Sequence, residues 1–250
     1  MREEPRLRVA AFRPDDERLA AAVELLESLG ADPVPDPMLA VEPADATPRT
    51  DADYVVLTSK TGVELAAEAG WSPNGATVCA IGDATAASLR EAGYTVDVVP
   101  EEFSSTGLVE RLEDEVAGAR VEVARSDHGS AVLTDGLEAA GAYVHETILY
   151  RLVRPEGSGE SAALAANGEL DAALFTSSLT VRHFLAAAAD QGIRTEAIEG
   201  LQAATVGAIG EPTKETAENA GISVDVVPER ADFETLACEV VEGAAPTYHD

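Results

Sequence analysis

The chain has 250 residues, with 46 Asp and Glu against 17 Lys and Arg, and a formal net charge of −29. A hydrophobic content of 46 % excludes an acidic disordered tail, because the apolar residues suffice for a core. The charge excludes duplex nucleic acid and anionic membranes as partners, since both need a basic face.

No apolar run is long enough for a membrane span, and Met1-Arg2-Glu3-Glu4-Pro5 lacks the basic-then-apolar order of a signal peptide. Cys79 and Cys238 each sit alone inside an apolar stretch, as reduced thiols do. The expectation is a cytoplasmic, monomeric globule. With only Lys60 and Lys214 among its basic residues other than arginine, the surface suits concentrated salt. There the Debye length shrinks to roughly 3 Å at 1 M and self-repulsion is screened.

Along the chain, short β-branched runs alternate with Ala/Leu/Glu helices that stop at a glycine. A strand begins near Leu7, and a helix from about Pro14 to Leu29 follows, with Asp15 and Asp16 at its positive end and Gly30 as its stop. Residues 32–49 carry Pro33, Pro35, Pro37, Pro43 and Pro48 and read as a connection after a strand near Pro33. Further strands are predicted near Tyr54, Thr77, Thr95, Arg120, Val144, Ala172, Ala204 and Ser223. The glycine stop recurs at Gly93, Gly118, Gly141 and Gly221. Strand, helix, glycine, strand predicts βαβ units and parallel sheets.

An internal repeat organises these pieces. Residues 82–100, GDATAASLREAGYTVDVVP, and residues 210–228, GEPTKETAENAGISVDVVP, are identical at nine of nineteen positions without a gap. Upstream, Leu57-Thr58-Ser59 matches Phe175-Thr176-Ser177, and more faintly Arg13-Pro14-Asp15 matches Arg125-Ser126-Asp127. Residues 52–148 hold five strands and make one lobe (lobe two). The other is completed only if 1–38 packs with 155–250 (lobe one), which leaves 39–51 and 149–154 as linkers. The fold class is therefore α/β, with two similar doubly wound, flavodoxin-like lobes and a cleft between them, beyond the carboxyl ends of the strands.

No GxGxxG, P-loop, HExxH or CxxC occurs, and His128, His145, His183 and His249 have no ligand spacing, so no metal site is expected; without a GxSxG elbow no covalent hydrolase is expected either. What remains are hydroxyl and glycine residues where strands turn into helices: Thr58-Ser59-Lys60-Thr61, Thr176-Ser177-Ser178, Gly82-Asp83-Ala84-Thr85 and Gly210-Glu211-Pro212-Thr213. Free N–H groups at such starts bind carboxylate or phosphate oxygens, while Ser and Thr there serve equally as N-caps. Four such turns, paired by the repeat, point to an extended ligand with several acidic groups. Tyr150, where the chain leaves the second lobe, is either a hydrogen-bond or proton donor to a ligand or a packing residue. Arg13 and Arg125 either bind carboxylates or pair with Asp15 and Asp127.

A strand ending in Thr-Ser, then Ala80-Ile81-Gly82-Asp83-Ala84-Thr85, a glycine, a strand, Val98-Val99-Pro100-Glu101, Phe103 and Gly107-Leu108 resembles uroporphyrinogen-III synthase. So do Leu149-Tyr150-Arg151, Leu174-Phe175-Thr176-Ser177-Ser178, Val181-Arg182-His183-Phe184, Ala208-Ile209-Gly210-Glu211-Pro212-Thr213 and Asp225-Val226-Val227-Pro228. The resemblance spans nearly the whole chain. Departures are Ser59-Lys60-Thr61-Gly62 for Ser-x-Asn-Gly, Ser178 where proline is common, and Glu211 beside the second glycine turn.

The resemblance implies a cofactor-independent lyase that closes hydroxymethylbilane, a linear tetrapyrrole with eight carboxylates, to uroporphyrinogen III. Ring D is inverted through a spiro intermediate. It implies Tyr150 as the residue assisting departure of the hydroxyl, and Ser59, Thr85, Ser177 and Thr213 as carboxylate contacts. Arg13, Lys60, Gly82, Ser178 and Gly210 complete the expected binding set. The alternative from another class is a two-lobed intracellular binding protein for a small acidic metabolite, without catalysis.

Overall fold

The computed structural model describes residues 6–245, and His249 lies outside them. In chain order the first elements are β1 (Arg8–Phe12), α1 (Glu17–Ser28), β2 (Asp32–Pro35), β3 (Ala40–Pro43), β4 (Tyr54–Leu57), α2 (Lys60–Glu68), β5 (Thr77–Ala80) and α3 (Asp83–Glu91). Next come α4 (Ser105–Leu112), β6 (Arg120–Ser126), α5 (Ala131–Ala139), β7 (Tyr143–Val153) and α6 (Glu160–Ala166). The chain finishes with β8 (Ala172–Phe175), α7 (Ser178–Asp190), α8 (Arg194–Leu201), β9 (Thr205–Ala208), α9 (Glu211–Asn219) and α10 (Phe233–Ala244). No helix among the described residues is long and apolar enough to cross a membrane.

These elements form two compact units. Unit 1 takes the residues up to Ala40 and those from Val153 onward, and unit 2 takes Val41–Leu152. Unit 1 holds a sheet of order β2-β1-β8-β9, with every neighbouring pair parallel. Unit 2 holds the order β3-β7-β6-β4-β5, in which β7, β6, β4 and β5 run parallel. Counted from β6, the second sheet repeats the order of the first. Both are the doubly wound arrangement, with unit 2 circularly permuted relative to unit 1.

Each sheet is covered on both faces, so successive strand residues are buried alternately in two layers. In unit 2, Val55, Leu57 and Ala80 pack with Val63 and Ala66 of α2, while Val56, Cys79 and Val123 pack with Leu108, Leu133 and Leu137 of α4 and α5. In unit 1, Phe12 stacks on Phe175 at 4.6 Å between ring centroids, and Phe184 of α7 closes on both at 5.4 and 5.7 Å.

Several expectations change. The first helix begins at Glu17 rather than Pro14. Asp16 is its N-cap and accepts from Arg18 N, while Pro14 forms a parallel bridge with Leu39. The stretch 149–154 is no separate linker, because β7 is an 11-residue strand running through Val153. Residues 39–51 contain an unforeseen edge strand, β3. The strands expected near Thr95 and Ser223 shrink to single bridges, Cys79 with Val98 and Gly207 with Val226. The cause is shared by both repeats. The carboxylates of Asp97 and Asp225 accept from the backbone N–H of Val78 and Val206, each at 2.8 Å, where a ladder carbonyl would otherwise sit.

Candidate functional site

In unit 2 the candidate residues gather at the carboxyl ends of the strands. Ser59 follows β4 and N-caps α2, its Oγ accepting from Gly62 N at 3.0 Å. The same Oγ accepts from the phenol of Tyr150 at 3.0 Å. A serine oxygen has two lone pairs and one proton, so with both lone pairs engaged its O–H is left to donate outward. Gly62 is what permits this approach, since a Cβ there would lie 3.1 Å from Ser59 Oγ and 3.4 Å from Leu149 Cδ1.

Tyr150 reaches Ser59 because of a β-bulge. The pairing of β6 with β7 slips between Arg125 and Ser126, so that Arg125 faces Ile148 and Ser126 faces Tyr150. Consecutive residues Leu149 and Tyr150 are then both buried in one core layer, which a regular strand forbids. The aromatic body packs in the core while the hydroxyl meets Ser59.

Gly82 is the N-cap of α3 and contributes no side-chain cap, so the first N–H groups of this helix are left for another acceptor. Thr85, three residues on, is 4 % exposed, and no hydrogen bond from its hydroxyl is found among the described residues. Phe103 rests against this turn: a Cβ on Gly82 would lie 3.0 Å from Phe103 Cβ. Lys60 points to solvent and meets Glu64 at 3.7 Å.

Unit 1 repeats the pattern with variations. Ser177 N-caps α7 in a full capping box with Thr180. Ser178 donates to Pro212 O at 2.8 Å, which ties this turn to the start of α9 and commits its proton. Gly210 caps α9 without a side chain, as Gly82 does in unit 2, and Thr213 is again 4 % exposed at the third helical position. Arg13 ends β1 with its guanidinium 4.2 Å from the centroid of Phe233 and its Nε buried without a partner. Burial, then Arg18, pull its pKa below the usual arginine value, against the pull of Asp16 and Asp232.

Arg125, the repeat mate of Arg13, is diverted from any site. Its Nη2 meets Glu146 at 2.6 Å, its Nη1 donates to Ser130 O at 2.5 Å, and only 5 % of the residue is exposed. The expected pairing with Asp127 does not occur, because Asp127 accepts from Leu152 N and meets His128. Arg13 likewise forms no ion pair with Asp15 among the described residues, and Asp16 pairs with Arg18. His183 packs against Met38 O, and no three His, Cys, Asp or Glu among the described residues are grouped to hold a metal.

Within unit 2 the structure thus joins Ser59 to Tyr150 and Gly82 to Phe103. Within unit 1 it joins Ser178 to the Gly210 turn and Arg13 to Phe233. Sequence reasoning gave no role to Gly62, Phe103 or Phe233. The signal for Phe103 and Phe233 was their shared place a few residues after Val-Val-Pro-Glu. A cavity of about 510 Å³ in unit 2, lined by Arg120, Glu122, Tyr143 and His145 among others, lies at the amino ends of the strands, opposite these turns.

Comparison with known proteins points the same way. The family model described as Uroporphyrinogen-III synthase HemD matches residues 20–238. A relative from Methanothermobacter thermautotrophicus, provisionally named for that activity, is 36 % identical over 238 residues, covering 89 % of this chain and 92 % of its own. The uroporphyrinogen-III synthase of Synechococcus elongatus is 32 % identical over 167 residues, 63 % of each chain. Among solved structures, a mutant uroporphyrinogen III synthase from Thermus thermophilus superposes with a TM-score of 0.67 at 22 % identity, over 95 % of this chain and 98 % of that one. The uroporphyrinogen-III synthetase of Helicobacter pylori gives 0.64 at 16 %, over 96 % and 100 %. At these identities the structures speak for the fold.

Proposed function

Since the chain belongs to the uroporphyrinogen-III synthase family, we propose that it is the lyase closing hydroxymethylbilane to uroporphyrinogen III with inversion of ring D, acting in the cytoplasm as a monomer without a cofactor. The observation that carries the reading at the level of the site is the Ser59–Tyr150 pair at the carboxyl end of β4, 3.0 Å apart. It places two hydroxyls together at a strand end where Asp127, paired with His128, donates its N–H to Tyr150 O at 3.2 Å.

In this reading Tyr150 lends a proton to the departing hydroxyl, which leaves as water when the carbon–oxygen bond breaks. The neighbouring pyrrole nitrogen supplies the electron pair and forms the azafulvene. Ring D attacks that carbon through its substituted α-position to give the spiro intermediate, which fragments and recloses with the ring reversed. The final closure releases a proton, and the phenol recovers the one it lent. At rest Ser59 accepts from the phenol and holds it in place while its own O–H donates outward; once the phenol has turned its proton to the departing hydroxyl, that O–H donates to the phenolate or to substrate. The free N–H groups at the start of α3 and the N–H of Glu211 at the start of α9, where Pro212 has none, take side-chain carboxylates with the hydroxyls of Thr85 and Thr213. Ser177 and Ser178 at the start of α7, Arg13 after β1 and Lys60 at the start of α2 are the remaining members of the proposed binding set. Rate and isomer choice come mainly from holding one geometry.

The test is to give the purified protein freshly made hydroxymethylbilane, oxidise the products and separate the isomers. Type III in excess of type I supports the reading. Type I alone, at the spontaneous rate and with folded protein, refutes it and leaves the non-catalytic binding protein.

A further inference from the structure

Both units present a phenylalanine to the uncapped end of their strands, and they treat it differently. In unit 1, Phe233 is partly covered and lies under the guanidinium of Arg13. In unit 2 the matching arginine, Arg125, is buried on Glu146 and Ser130, and Phe103 is left 57 % exposed. The position of this ring matters more than its exposure, because it lies against the glycine turn that opens α3.

Phe103 is also held rigidly. Ser104 N-caps α4 through Gly107 N at 3.0 Å, and its hydroxyl donates to Glu102 Oε1 at 2.8 Å. Gly107 lies so close to the preceding turn that a Cβ would come within 2.3 Å of Glu102 O. Pro100, just before, is buried. The loop therefore fixes the ring against Gly82, at the helix start whose N–H groups have no side-chain acceptor.

We propose that Phe103 is a specificity-determining platform, on which one pyrrole ring of the substrate lies while that ring's carboxylates reach the N–H groups at Gly82–Thr85. This rests on the family reading above and adds to it a contact for a ring face rather than for a carboxylate. The flat ring of Phe103 fixes the pyrrole plane, and the helix start fixes its acidic edge. Phe233 cannot play the same part in unit 1, because Arg13 occupies its face.

The experiment compares wild type, Phe103→Ala and Phe103→Tyr in three measurements: steady-state cyclisation of hydroxymethylbilane, equilibrium binding of uroporphyrin III by absorbance, and thermal melting. Phe103→Ala is expected to raise KM and to weaken uroporphyrin binding about tenfold, a fold-change in the range of one aromatic contact. kcat should stay within about threefold and melting should not move, because the ring is mostly exposed. Phe103→Tyr should restore both affinities. Unchanged KM and binding in Phe103→Ala would overturn the platform. Wild type that makes only type I yet binds uroporphyrin in a Phe103-dependent way would instead refute the family reaction and keep the platform. Wild type that neither turns over nor binds would overturn both.

Discussion

Replacing Tyr150 with Phe removes one oxygen and leaves the core volume unchanged. Tyr150 is 7 % exposed and its only side-chain hydrogen bond among the described residues is the one to Ser59, 3.0 Å long. Losing that bond costs stability by about 1 kcal/mol. The cap of α2 survives, since Ser59 keeps its bond from Gly62 N, so the further loss of about 1 kcal/mol that accompanies a missing cap is not incurred. The fold therefore tolerates the change, and activity can be read without a folding artefact. If the phenol assists departure of the hydroxyl, kcat falls about 100-fold, the low end for general acid catalysis, with KM within about threefold. A phenol is a weak acid at neutral pH, which is why the low end applies. Stopped assays of kcat and KM with isomer separation, beside a melting curve, measure all of this. Retention of kcat within twofold, with type III still the product, would refute the proton-donor role and leave Tyr150 as packing. Ser59→Ala sharpens the test: if the two hydroxyls act as a unit, the double variant is no slower than the worse single one.

Thiol labelling at pH 8 should give one fast equivalent from exposed Cys238, while Cys79 reacts only on unfolding, because burial, then Asp97, push its thiol up to about 12. Two fast equivalents would mean that the β5 core is open. Gly200→Ala should cost unit 1 about 3 kcal/mol or more in denaturant unfolding, because the added Cβ would lie 1.7 Å from Ala165 O where α8 crosses α6. A loss below about 1 kcal/mol would show that the two helices can separate freely. Raising salt from low to molar should lower KM, because a chain of net charge −29 repels an octacarboxylate and screening removes that repulsion. A KM that climbs over the same range would show that exposed cations carry the binding.

The architecture was legible because it is written twice. Nine identities in nineteen residues fix the order of strand, helix and glycine in both units, and the Arg13 and Arg125 match reveals the permutation. What escaped are features set by contacts between distant segments. Asp97 and Asp225 sit in runs that read as full strands, and only the fold shows their carboxylates replacing a ladder bond. On sequence Tyr150 is an even choice between packing and function, and the bulge, with Leu149 as its extra residue, puts the ring in the core and the hydroxyl on Ser59. Arg125 matches Arg13 in the repeat, yet its guanidinium lies on Glu146, 21 residues away in sequence. The serines at Ser59 and Ser177 are caps, as their position suggested. Gly82 and Gly210 are the turns that stay uncapped. A glycine N-cap leaves no side chain to announce that the helix start is open, so that distinction is invisible to composition.

Arg13, Lys60 and Arg125, the cations that the sequence offers as carboxylate ligands, are poorly placed to hold a polyanion, and this bears on how binding works. Arg125 is committed to Glu146, Lys60 is exposed beside Glu64, and Arg13 lies on Phe233 with its Nε buried. Asp83 and Glu211 even place a carboxylate at the first position of each uncapped helix, with Lys214 3.9 Å from Glu211. The other donors at these turns are neutral: the first N–H groups of α3, the N–H of Glu211 ahead of Pro212, and the hydroxyls of Ser59, Thr85 and Thr213. Neutral donors lose little to salt, because their interaction is short-ranged, whereas repulsion from dispersed surface acids acts over a Debye length of about 10 Å at 0.1 M and is screened away above it. Screening therefore acts on approach and leaves orientation untouched. The same division separates affinity from isomer choice. Salt should tune how tightly the tetrapyrrole is held, while the ratio of type III to type I, set by hydrogen-bond geometry and by the ring platform at Phe103, stays constant across the range.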